Sequence, residues 1–514
     1  MEKLTKKYGL LTAICMVVGI VIGSGVFFKA GKVLKNTGGN MGSSLLVVAI
    51  VGAIMIICSY VFATLSTRYE KINGVVDYAE AMLGKRFAYY VGWFMTSMYY
   101  PIISSTLAWV SAQYTVILLG LEVSSASHLA IAAFFMAMGF GVNALAPKIA
   151  GKFQVSTTII KLIPLFIMGI VGTIIGLING TTIQSFSAKL DSVGGTAISN
   201  NIFSAVVAFA FAYEGWIIAT SINSELKNSK KNLYVALFFG AIIVVGVYML
   251  YFLGLSGVLS TEEIIAAGDN LPVEAFSRLF NSPVMGTIVM VFVIISCLGT
   301  MNGVMLGCSR GMYSLAARNE GPLPKVFSQI DKKTNMPHNS AIIALVFSAI
   351  WLLQWQVFFF DNAMGANTLP AFLCWEADEI CIITLYAFYI PIFIAMMVKC
   401  RDLNPFKRFV MPTLATLCCI FMCYCAYDSY KANGQIWSYL VTFAIIMLIG
   451  FFFSIDFKKL LNKWTKGKYV FEETATNDTV TEDASEPVED ANEPIEDSFE
   501  RVENTEDNLE ETQK

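Results

Sequence analysis

The segment from Gly19 to Phe27 reads GIVIGSGVF and places three glycines and a serine within the first long apolar run of the chain. Each glycine inside a helix costs up to ~1 kcal/mol relative to alanine. Such a cluster indicates either a close helix-helix contact through small residues or a place where a helix is interrupted. Taken alone, the segment leaves both interpretations open.

A second segment favours the interruption. The sixth apolar run contains FAFAYEGW from Phe209 to Trp216, with the ionisable Glu214 and a glycine at a similar depth. A charge near the bilayer centre costs at least ~2.5 kcal/mol unless it meets water, a partner or a ligand. Paired interruptions at corresponding positions of two chain halves are typical of inverted-repeat transporters. We therefore expect broken helices in the first and sixth spans.

Composition places the whole chain in a membrane. Of 514 residues, 56% are hydrophobic and 14% are charged, which excludes an average soluble domain with about 25% charged residues. Long apolar runs such as 159–177 show no alternation, which disfavours a barrel. The sequence predicts an all-α integral membrane protein with twelve transmembrane helices and a five-plus-five inverted repeat. The predicted spans lie near residues 8–30, 43–66, 87–119, 128–146, 153–178, 200–222, 233–258, 284–309, 339–357, 374–398, 408–427 and 435–455.

Positive charges predict the orientation, because Lys and Arg in short loops stay preferentially in the cytoplasm. With the N terminus inside, the inner segments carry 26 of these residues and the outer segments six. Both termini are therefore expected in the cytoplasm, with the protein in the plasma membrane. The six outer residues are Lys29, Lys32, Lys35, Lys189, Arg278 and Lys431.

The C-terminal segment differs in kind from the rest. Residues 469–514 hold 17 acids and 2 bases, which leaves 33 bases and 21 acids for residues 1–468. Such an acidic, apolar-poor segment cannot bury enough surface to fold. We expect a cytoplasmic N terminus (1–7), a twelve-helix domain (8–456) and a cytoplasmic segment (457–514) that is first basic, then acidic and disordered. Within the domain, 8–178 and 200–398 form the two repeats, and 408–456 the last two helices.

Enzymatic and metal chemistry find no support in the motifs. The eleven cysteines lie almost all in apolar spans, where they act as small hydrophobic residues. The two histidines, His128 and His338, are expected in loops on opposite faces, which argues against a histidine metal centre. No Walker A, HExxH or GxSxG string occurs. We predict neither an enzyme, nor a cofactor, nor a metal site.

Broken helices in lipid must bind something. An interrupted backbone frees N–H and C=O groups that cannot be left bare in hydrocarbon, so they line a cavity. The N terminus of a half-helix suits a carboxylate, and freed carbonyls suit an ammonium. A zwitterionic amino acid supplies both groups.

Three ordered motifs resemble the amino acid-polyamine-organocation superfamily, and within it the L-type amino acid transporter group with its bacterial relatives. GLLTAICMVVGIVIGSGVF (9–27) is similar to the opening helix of the group. FAYEGW (211–216) followed by SELKNSKKNL (224–233) resembles its sixth helix and cytoplasmic exit. SCLGTMNGVMLGCSRGMYSLAARNEGPLP (296–324) resembles its eighth helix and following loop. The resemblance runs from about residue 6 to 456.

The resemblance implies alternating access and assigns the substrate groups. The Ser24 and Gly25 amides would hold the substrate carboxylate, and Phe211 would act as an aromatic lid on the outer side. Four carbonyls would take the ammonium, those of Val21, Phe211, Ala212 and Glu214. With the two glycines at the breaks, the predicted substrate-binding set is Val21, Gly23, Ser24, Gly25, Phe211, Ala212, Glu214 and Gly215.

Lys161 is the single Lys or Arg in the middle of a predicted span. It either snorkels, pairs with Glu214, or serves in coupling. In sodium-coupled relatives of this fold a cation bridges the first and eighth helices, and the family places a fifth-helix lysine there. If this carries over, Ser296 and the carbonyls near Gly19 to Ile22 accept from the ammonium, and sodium is dispensable. Proton coupling through Lys161 remains a hypothesis.

The Glu214 side chain has three open roles: to recognise a cationic or polar side chain, to carry a proton, or to hold Lys161. Residues that would complete a side-chain pocket also stay open, with candidates Tyr99, Tyr100, Trp216 and Asn302.

Other polar and aromatic residues are given structural interpretations. Asp77 and Glu80 are expected on a solvated cytoplasmic face or in an inner-gate salt bridge. Asp378 and Glu379 are placed at headgroup level, with gating as the minority alternative. Trp351 and Trp355 suit an interfacial belt.

One departure from the family concerns partners. Animal members join a heavy-chain glycoprotein through a cysteine in the loop between helices three and four, but here residues 120–128 read GLEVSSASH. No heavy-chain subunit and no nucleic acid is expected, and the oligomeric state is left open. The expected function is sodium-independent secondary active transport of amino acids, as exchanger or proton symporter. The alternatives are a polyamine or organic cation transporter and a transporter-like amino acid sensor, with a channel least favoured.

Overall fold

The computed structural model describes residues 6, 8–69, 73–121, 125–193, 195–198, 200–363, 375–432 and 434–455. The predicted segment 457–514 and, except for Lys6, the predicted segment 1–7 lie outside the described residues. The chain up to Ile455 forms one compact unit.

The described chain is an all-helical membrane protein, as predicted. Eleven helices are long and apolar enough to cross a membrane, and a bent pair raises the number to twelve when it counts as one span. The spans, numbered here in chain order, are span 1 in two halves (1a, Leu10–Val21; 1b, Gly25–Asn36), span 2 (Met41–Ser66), span 3 (Lys85–Leu118), span 4 (Ser125–Leu145), span 5 (Pro147–Asn179), span 6 in two halves (6a, Ile202–Ala210; 6b, Trp216–Glu225), span 7 (Ser229–Val258), span 8 (Pro283–Ala316), span 9 (His338–Ala363), span 10 (Asp378–Lys399), span 11 (Phe406–Ala432) and span 12 (Ile436–Ser454).

Short elements connect the spans. The connecting helices are Gly74–Leu83, Thr181–Ser187, Thr261–Ala267, Leu271–Phe280 and Pro324–Phe327, with 3-10 turns at Phe211–Tyr213 and Gly268–Asn270 and a two-residue antiparallel pair of Ser192–Val193 with Thr196–Ala197.

Local sequence fixes several of the span boundaries. The Asn40 side chain accepts a hydrogen bond from the Ser43 amide at 2.8 Å and caps span 2. Asn201 caps 6a in the same way. Spans 5 and 8 begin with Pro147 and Pro283, where the missing N–H would have had no helical partner.

Span 6 lies at the centre of the bundle and span 12 at its lipid-facing edge. In the most apolar part of span 6, 83% of the residues are buried, against 17% in span 12. Spans 5 and 7 cross through small residues: a Cβ on Gly172 would lie 2.5 Å from the Gly254 carbonyl oxygen, and one on Gly176 would lie 2.2 Å from the Gly257 Cα. Close backbone packing of this type replaces the hydrophobic effect inside a bilayer.

Both predicted helix breaks are present. Span 1 is non-helical from Ile22 to Ser24, and its halves are bent by 41°. Span 6 is interrupted at Glu214 and Gly215, after which 6b continues as a 3-10 helix. Gly215 has φ +102°, a backbone conformation that side-chain-bearing residues rarely adopt. The arrangement of the halves as inverted repeats, and the domain limits given above, stay predictions.

Two sequence interpretations are wrong. His128 and His338 lie in the first turns of spans 4 and 9 and not in loops. Trp351 and Trp355 do not form an interfacial belt, because both are only 7% exposed and Trp351 Nε1 donates to the Ser97 carbonyl at 2.9 Å.

Candidate functional site

The two helix breaks face each other at backbone distance. A Cβ on Gly25 would lie 2.7 Å from the Ala212 Cα, and a Cβ on Gly215 would lie 2.5 Å from Ile20 Cγ2. The Ala212 backbone leaves no room for a side chain at Gly25, and the φ of +102° favours glycine at position 215. The glycines of the first segment therefore serve both purposes considered from the sequence, since Gly19, within 1a, packs against Thr158 of span 5.

A cavity of about 20 Å³ lies between the breaks. It has room for roughly one water molecule, so an amino acid enters only after side chains move. Seven of the eight predicted substrate-binding residues line it, and Ala212 does not. Its lining consists of Ile20, Val21, Gly23, Ser24, Gly25, Ile103, Leu107, Phe211, Glu214, Gly215, Thr300 and Val304.

The N terminus of 1b presents free donors to this cavity. Among the described residues, the backbone amides of Ser24 and Gly25 have no hydrogen-bonded carbonyl. They carry the partial positive charge of a helix start, which suits a carboxylate. The geometry is compatible with the role predicted for these two amides.

The carbonyls assigned to the ammonium are partly engaged. The Tyr248 hydroxyl of span 7 lies 3.1 Å from the Val21 carbonyl oxygen and 2.8 Å from that of Ala212, so one phenol connects both breaks. The Phe211 carbonyl accepts the Glu214 amide at 3.2 Å. Sequence reasoning missed Tyr248, because nothing in the sequence distinguishes it from the other tyrosines of the spans.

Lys161 is fully buried and its ammonium joins three spans. Its Nζ donates to the Gly19 carbonyl at 2.6 Å and to the Ile22 carbonyl at 2.7 Å. It also lies 3.1 Å from Thr300 Oγ1 and 3.4 Å from the Ser296 carbonyl of span 8. The acceptors named from the sequence are thus brought together around it.

Ser296 contacts span 1 as well, since its hydroxyl donates to the Gly23 carbonyl at 3.3 Å. Among the residues that the structure describes, no ion pair or hydrogen bond joins Lys161 to Glu214. Snorkelling is excluded because the Lys161 side chain is 0% exposed.

Glu214 is held by one partner and leaves one oxygen unused. The Tyr99 hydroxyl donates to Glu214 Oε1, and Tyr99 ends the π-helical segment Met95–Tyr99 of span 3, an irregularity common at functional sites. Glu214 Oε2 is buried and has no hydrogen-bond partner. Glu214 is also one of the residues that line the cavity.

The remaining pocket candidates do not line the cavity. Trp216 packs against Phe62, and Asn302 Nδ2 donates to the Ala150 carbonyl at 3.1 Å. Thr300 was missed although it follows Ser296 by one helical turn, so the same face of span 8 should have indicated it. The other missed lining residues are Ile20, Ile103, Leu107 and Val304, which are ordinary apolar residues in the sequence.

One side of the site is closed by a group of charges, called here the charge cluster, of which Lys29, Asp378 and Glu379 are buried and Lys32 and Glu376 are partly exposed. Lys29 Nζ lies 2.6 Å from Glu379 Oε1, 3.2 Å from Glu376 Oε1 and 3.4 Å from Asp378 Oδ2. Lys32 adds contacts of 2.9 Å to Glu376 and 2.8 Å to Glu379. Asp378 and Glu379 begin span 10 and are 0% and 3% exposed, so they face the other charges of the cluster and not solvent; their level relative to the headgroups stays a prediction.

The charge cluster ties 1b to span 10 beside the predicted lid. Lys29 Nζ lies 5.4 Å from the Phe211 ring centroid, and the Phe28 and Phe211 rings are 5.7 Å apart. Although burial opposes ionisation of Glu376, the ammonium groups of Lys32 and Lys29 outweigh it and lower its pKa to about 2. The three carboxylates lie within 4.8 Å of one another, as a cation site requires, but two ammonium groups already contact them.

A second ionic group, called here the Arg318 group, consists of Arg318, Asp77 and Glu80. Arg318, just after span 8, contacts Asp77, and its Nε lies 3.3 Å from Glu80. Asp77 is 1% exposed and accepts the Asn73 amide at 2.8 Å. The interpretation of Asp77 and Glu80 as a salt bridge is confirmed, and that of a solvated face is wrong for Asp77.

An all-helical membrane protein with two broken spans around one central cavity is a transporter of the broken-helix class. The amino acid permease family pattern matches residues 8–470. The chain therefore belongs to the amino acid permease family, which confirms the resemblance seen in the motifs.

The chain is similar to several known amino acid transporters over most of their length. The serine/threonine exchanger SteT of Bacillus subtilis is 28% identical over 406 residues, which cover 79% of this chain and 86% of SteT. The human b(0,+)-type amino acid transporter 1 is 26% identical over 88% of this chain and 89% of its own. The human cystine/glutamate transporter is 25% identical over 82% of this chain and 80% of its own.

A solved structure shares the fold at low identity. Mhp1, a nucleobase-cation-symport-1 family transporter in a closed conformation with bromovinylhydantoin bound, aligns with a TM-score of 0.52 and 13% identity. The alignment covers 83% of this chain and 94% of that chain.

Gly25→Ala tests whether the close approach of the breaks is required. The added methyl would meet the Ala212 backbone at 2.7 Å and push 1b away from span 6. We expect the initial rate of labelled amino acid uptake into proteoliposomes to fall at least about tenfold, with the protein still folded. Gly246→Ala in span 7 is the control, because its Cβ would meet nothing within 4 Å. Equal rates for both variants would contradict the prediction.

Lys29→Gln tests the charge cluster. Two buried carboxylates, those of Asp378 and Glu379, and the half-buried Glu376 would then share one ammonium. Breaking a buried ion pair costs about 3–5 kcal/mol. We expect the thermal unfolding midpoint of the purified protein to fall by about 5 °C or more. The exposed Lys189→Gln should leave it unchanged. Adding Asp378→Asn to Lys29→Gln should recover part of the loss, and strictly additive losses would argue against a coupled cluster.

Proposed function

We propose that this protein carries amino acids across the plasma membrane by secondary active transport, as an exchanger or proton symporter that does not use sodium. The observation that supports this proposal most directly is the central cavity, where the free Ser24 and Gly25 amides face the interrupted backbone of span 6. Amide donors on one side and broken-helix carbonyls on the other complement the two charged ends of an amino acid.

Binding of an amino acid requires that the hydrogen bonds of Tyr248 to the Val21 and Ala212 carbonyls rearrange. The Tyr248 hydroxyl has one proton to share between the Val21 and Ala212 carbonyls. An ammonium has three donors and can replace it. The Phe211 ring then closes over the substrate on the Lys29 side. In this proposal Val21, Phe211, Ala212 and Glu214 contribute carbonyls, while Gly23 and Gly215 allow the turns.

Alternating access follows from closure on both sides. The charge cluster holds 1b to span 10, and the Arg318 group holds the end of span 8 to the helix Gly74–Leu83. Opening one side while the other stays closed exposes the cavity to one solution at a time. With the N terminus in the cytoplasm, the charge cluster faces outside and the Arg318 group faces inside.

Lys161 takes the place of a coupling ion in this scheme. Its ammonium supplies a fixed positive charge to the carbonyls at the end of 1a and to span 8. A sodium ion is then unnecessary at that position. Ser296, which contacts both Lys161 and Gly23, is proposed as the second coupling residue. Exchange and proton symport both remain compatible with a lysine there.

The proposed setting completes the scheme. Both termini lie in the cytoplasm, residues 8–456 form the transport domain, and no heavy-chain subunit is needed. The two halves, 8–178 and 200–398, are proposed as inverted repeats, with 408–456 outside them.

Uptake into proteoliposomes tests the function. Proteoliposomes that contain the purified full-length protein are loaded with unlabelled amino acid. Entry of labelled amino acids is then followed with sodium or choline in the external solution, at two external pH values. We expect uptake in both salts at equal rates, because Lys161 occupies the position of a sodium ion. Dependence on internal amino acid indicates exchange, and dependence on external pH indicates proton symport. Steep dependence on sodium would refute the assignment of Lys161, and no uptake of any amino acid would refute the function.

We further propose that Glu214 selects substrates through their side chains. Its Oε2 is buried without a partner at the cavity, while Tyr99 fixes the other oxygen. An unpaired buried acceptor costs ~1–3 kcal/mol, so a substrate that donates a hydrogen bond gains this amount. The same observation supports the second candidate function, transport of a polyamine or another organic cation.

Glu214→Gln tests selection, because it keeps the size of the side chain and removes its charge. We expect uptake of lysine to fall about tenfold more than uptake of alanine, since each ~1.4 kcal/mol of interaction is worth a factor of ten. Competition by amino acids and amines against one labelled substrate gives the same ratio. Equal loss for lysine and alanine would contradict a role in side-chain selection. Stronger competition by polyamines than by any amino acid would favour the second candidate.

A further inference from the structure

A second, larger cavity opens on the Lys29 side of the central one. It has a volume of about 510 Å³, within the range of small-molecule sites. The Phe28 ring lines it, and the neighbouring Phe211 ring lines the central cavity. Five further aromatic residues form its walls, and the cavity is called here the aromatic vestibule: Trp109, Tyr114, Trp355, Phe358 and Phe359.

The walls of the vestibule are already assembled. The Trp109 ring packs on Phe359 and meets Trp355 edge-on at 6.5 Å between centroids. Trp109 Nε1 donates to Gln356 at 3.0 Å, and the Tyr114 hydroxyl donates to the Asp269 carbonyl at 3.2 Å. These bonds fix both rings without using the cavity.

One buried donor in the vestibule is left over. Trp355 is 7% exposed, yet its Nε1–H has no acceptor. A buried indole N–H normally finds a partner, because leaving it bare costs ~1–3 kcal/mol. The neighbouring Trp109 satisfies this rule. Trp216 Nε1 is also buried without an acceptor, but Trp216 lines neither cavity, whereas Trp355 lines the vestibule and its N–H can be satisfied by an acceptor on a ligand.

One of the three lysines that line the vestibule has no acidic partner among the described residues. Lys29 and Lys32 are matched by the acids of the charge cluster. Lys35 lines the same cavity, and no described acid forms an ion pair with it. Asp269 lines the cavity as well and supplies a carboxylate. One free ammonium and one carboxylate beside aromatic walls complement a zwitterion with a ring.

We propose that the aromatic vestibule is a second binding site, for an amino acid with an aromatic side chain. Trp355 Nε1–H and the Lys35 ammonium hold its carboxylate, Asp269 attracts its ammonium, and its ring packs on the aromatic walls. The site lies outside the central cavity and binds independently of it. A ligand in the aromatic vestibule would contact Phe28 and Glu376, two residues that lie between the vestibule and the central cavity on the Lys29 side.

Saturation binding of tritiated phenylalanine to the full-length protein in nanodiscs tests the site. Trp355→Phe removes the N–H and keeps an aromatic ring, and Lys35→Gln removes the ammonium. Each is expected to weaken one phenylalanine site about tenfold. The matched controls are Trp437→Phe, 73% exposed on span 12, and the exposed Lys189→Gln, which should change nothing. Unchanged phenylalanine binding in both vestibule variants would overturn the proposal.

A blocked central cavity separates this proposal from the transport function. Ser24→Trp fills the central cavity, so uptake should stop while one phenylalanine per protein still binds. That remaining binding should weaken with Trp355→Phe, and alanine, which lacks a ring, should not compete for it. Loss of all phenylalanine binding in folded Ser24→Trp protein would overturn the second site and leave the transport function standing. If Ser24→Trp does not fold, as judged by size-exclusion chromatography, the Trp355→Phe and Lys35→Gln titrations alone decide.

Discussion

The interrupted backbone of span 1 depends on the buried ammonium of Lys161. In an unbroken helix, the carbonyls of Gly19 and Ile22 would accept amides four residues later. The break removes those donors, and lipid offers no water to replace them. Lys161 donates to both oxygens at 2.6 and 2.7 Å, and the Thr300 hydroxyl lies 3.2 Å from each. Its positive charge also lies at the C terminus of 1a, where a helix dipole favours a cation.

The same lysine determines what else can happen at the centre. It satisfies the end of 1a from span 5 and contacts span 8, while the first amides of 1b stay free, as they do at a helix start. Tyr248 provides the corresponding link between the end of 1a and span 6. The two halves of span 1 therefore have different uses. One half is anchored by neighbouring spans, and the other presents donors to a ligand.

Closure of the cavity rests on charges that are costly to separate. The charge cluster and the Arg318 group are both largely buried, so opening either side exposes ions to water while removing their close partners. Rehydration repays part of this cost. Contacts of this kind hold the closed arrangement without making it irreversible, which is compatible with the proposed alternating access.

The sequence by itself determined the membrane class, the number of spans and the two breaks. These follow from local properties: apolar length, clustered glycines, and ionisable residues at mid-membrane depth, each with a large cost in lipid. The pairing of Lys161 with Ser296 came from the resemblance to the family, and local properties do not imply it. Only the tertiary structure decided the rest. It buried Asp378 and Glu379 against Lys29 and turned Trp351 and Trp355 inward, because long-range pairing and the rotation of a helix about its axis are not written in composition. It also selected Tyr248 and Thr300, whose roles depend on oxygen atoms distant in the chain coming within hydrogen-bond reach.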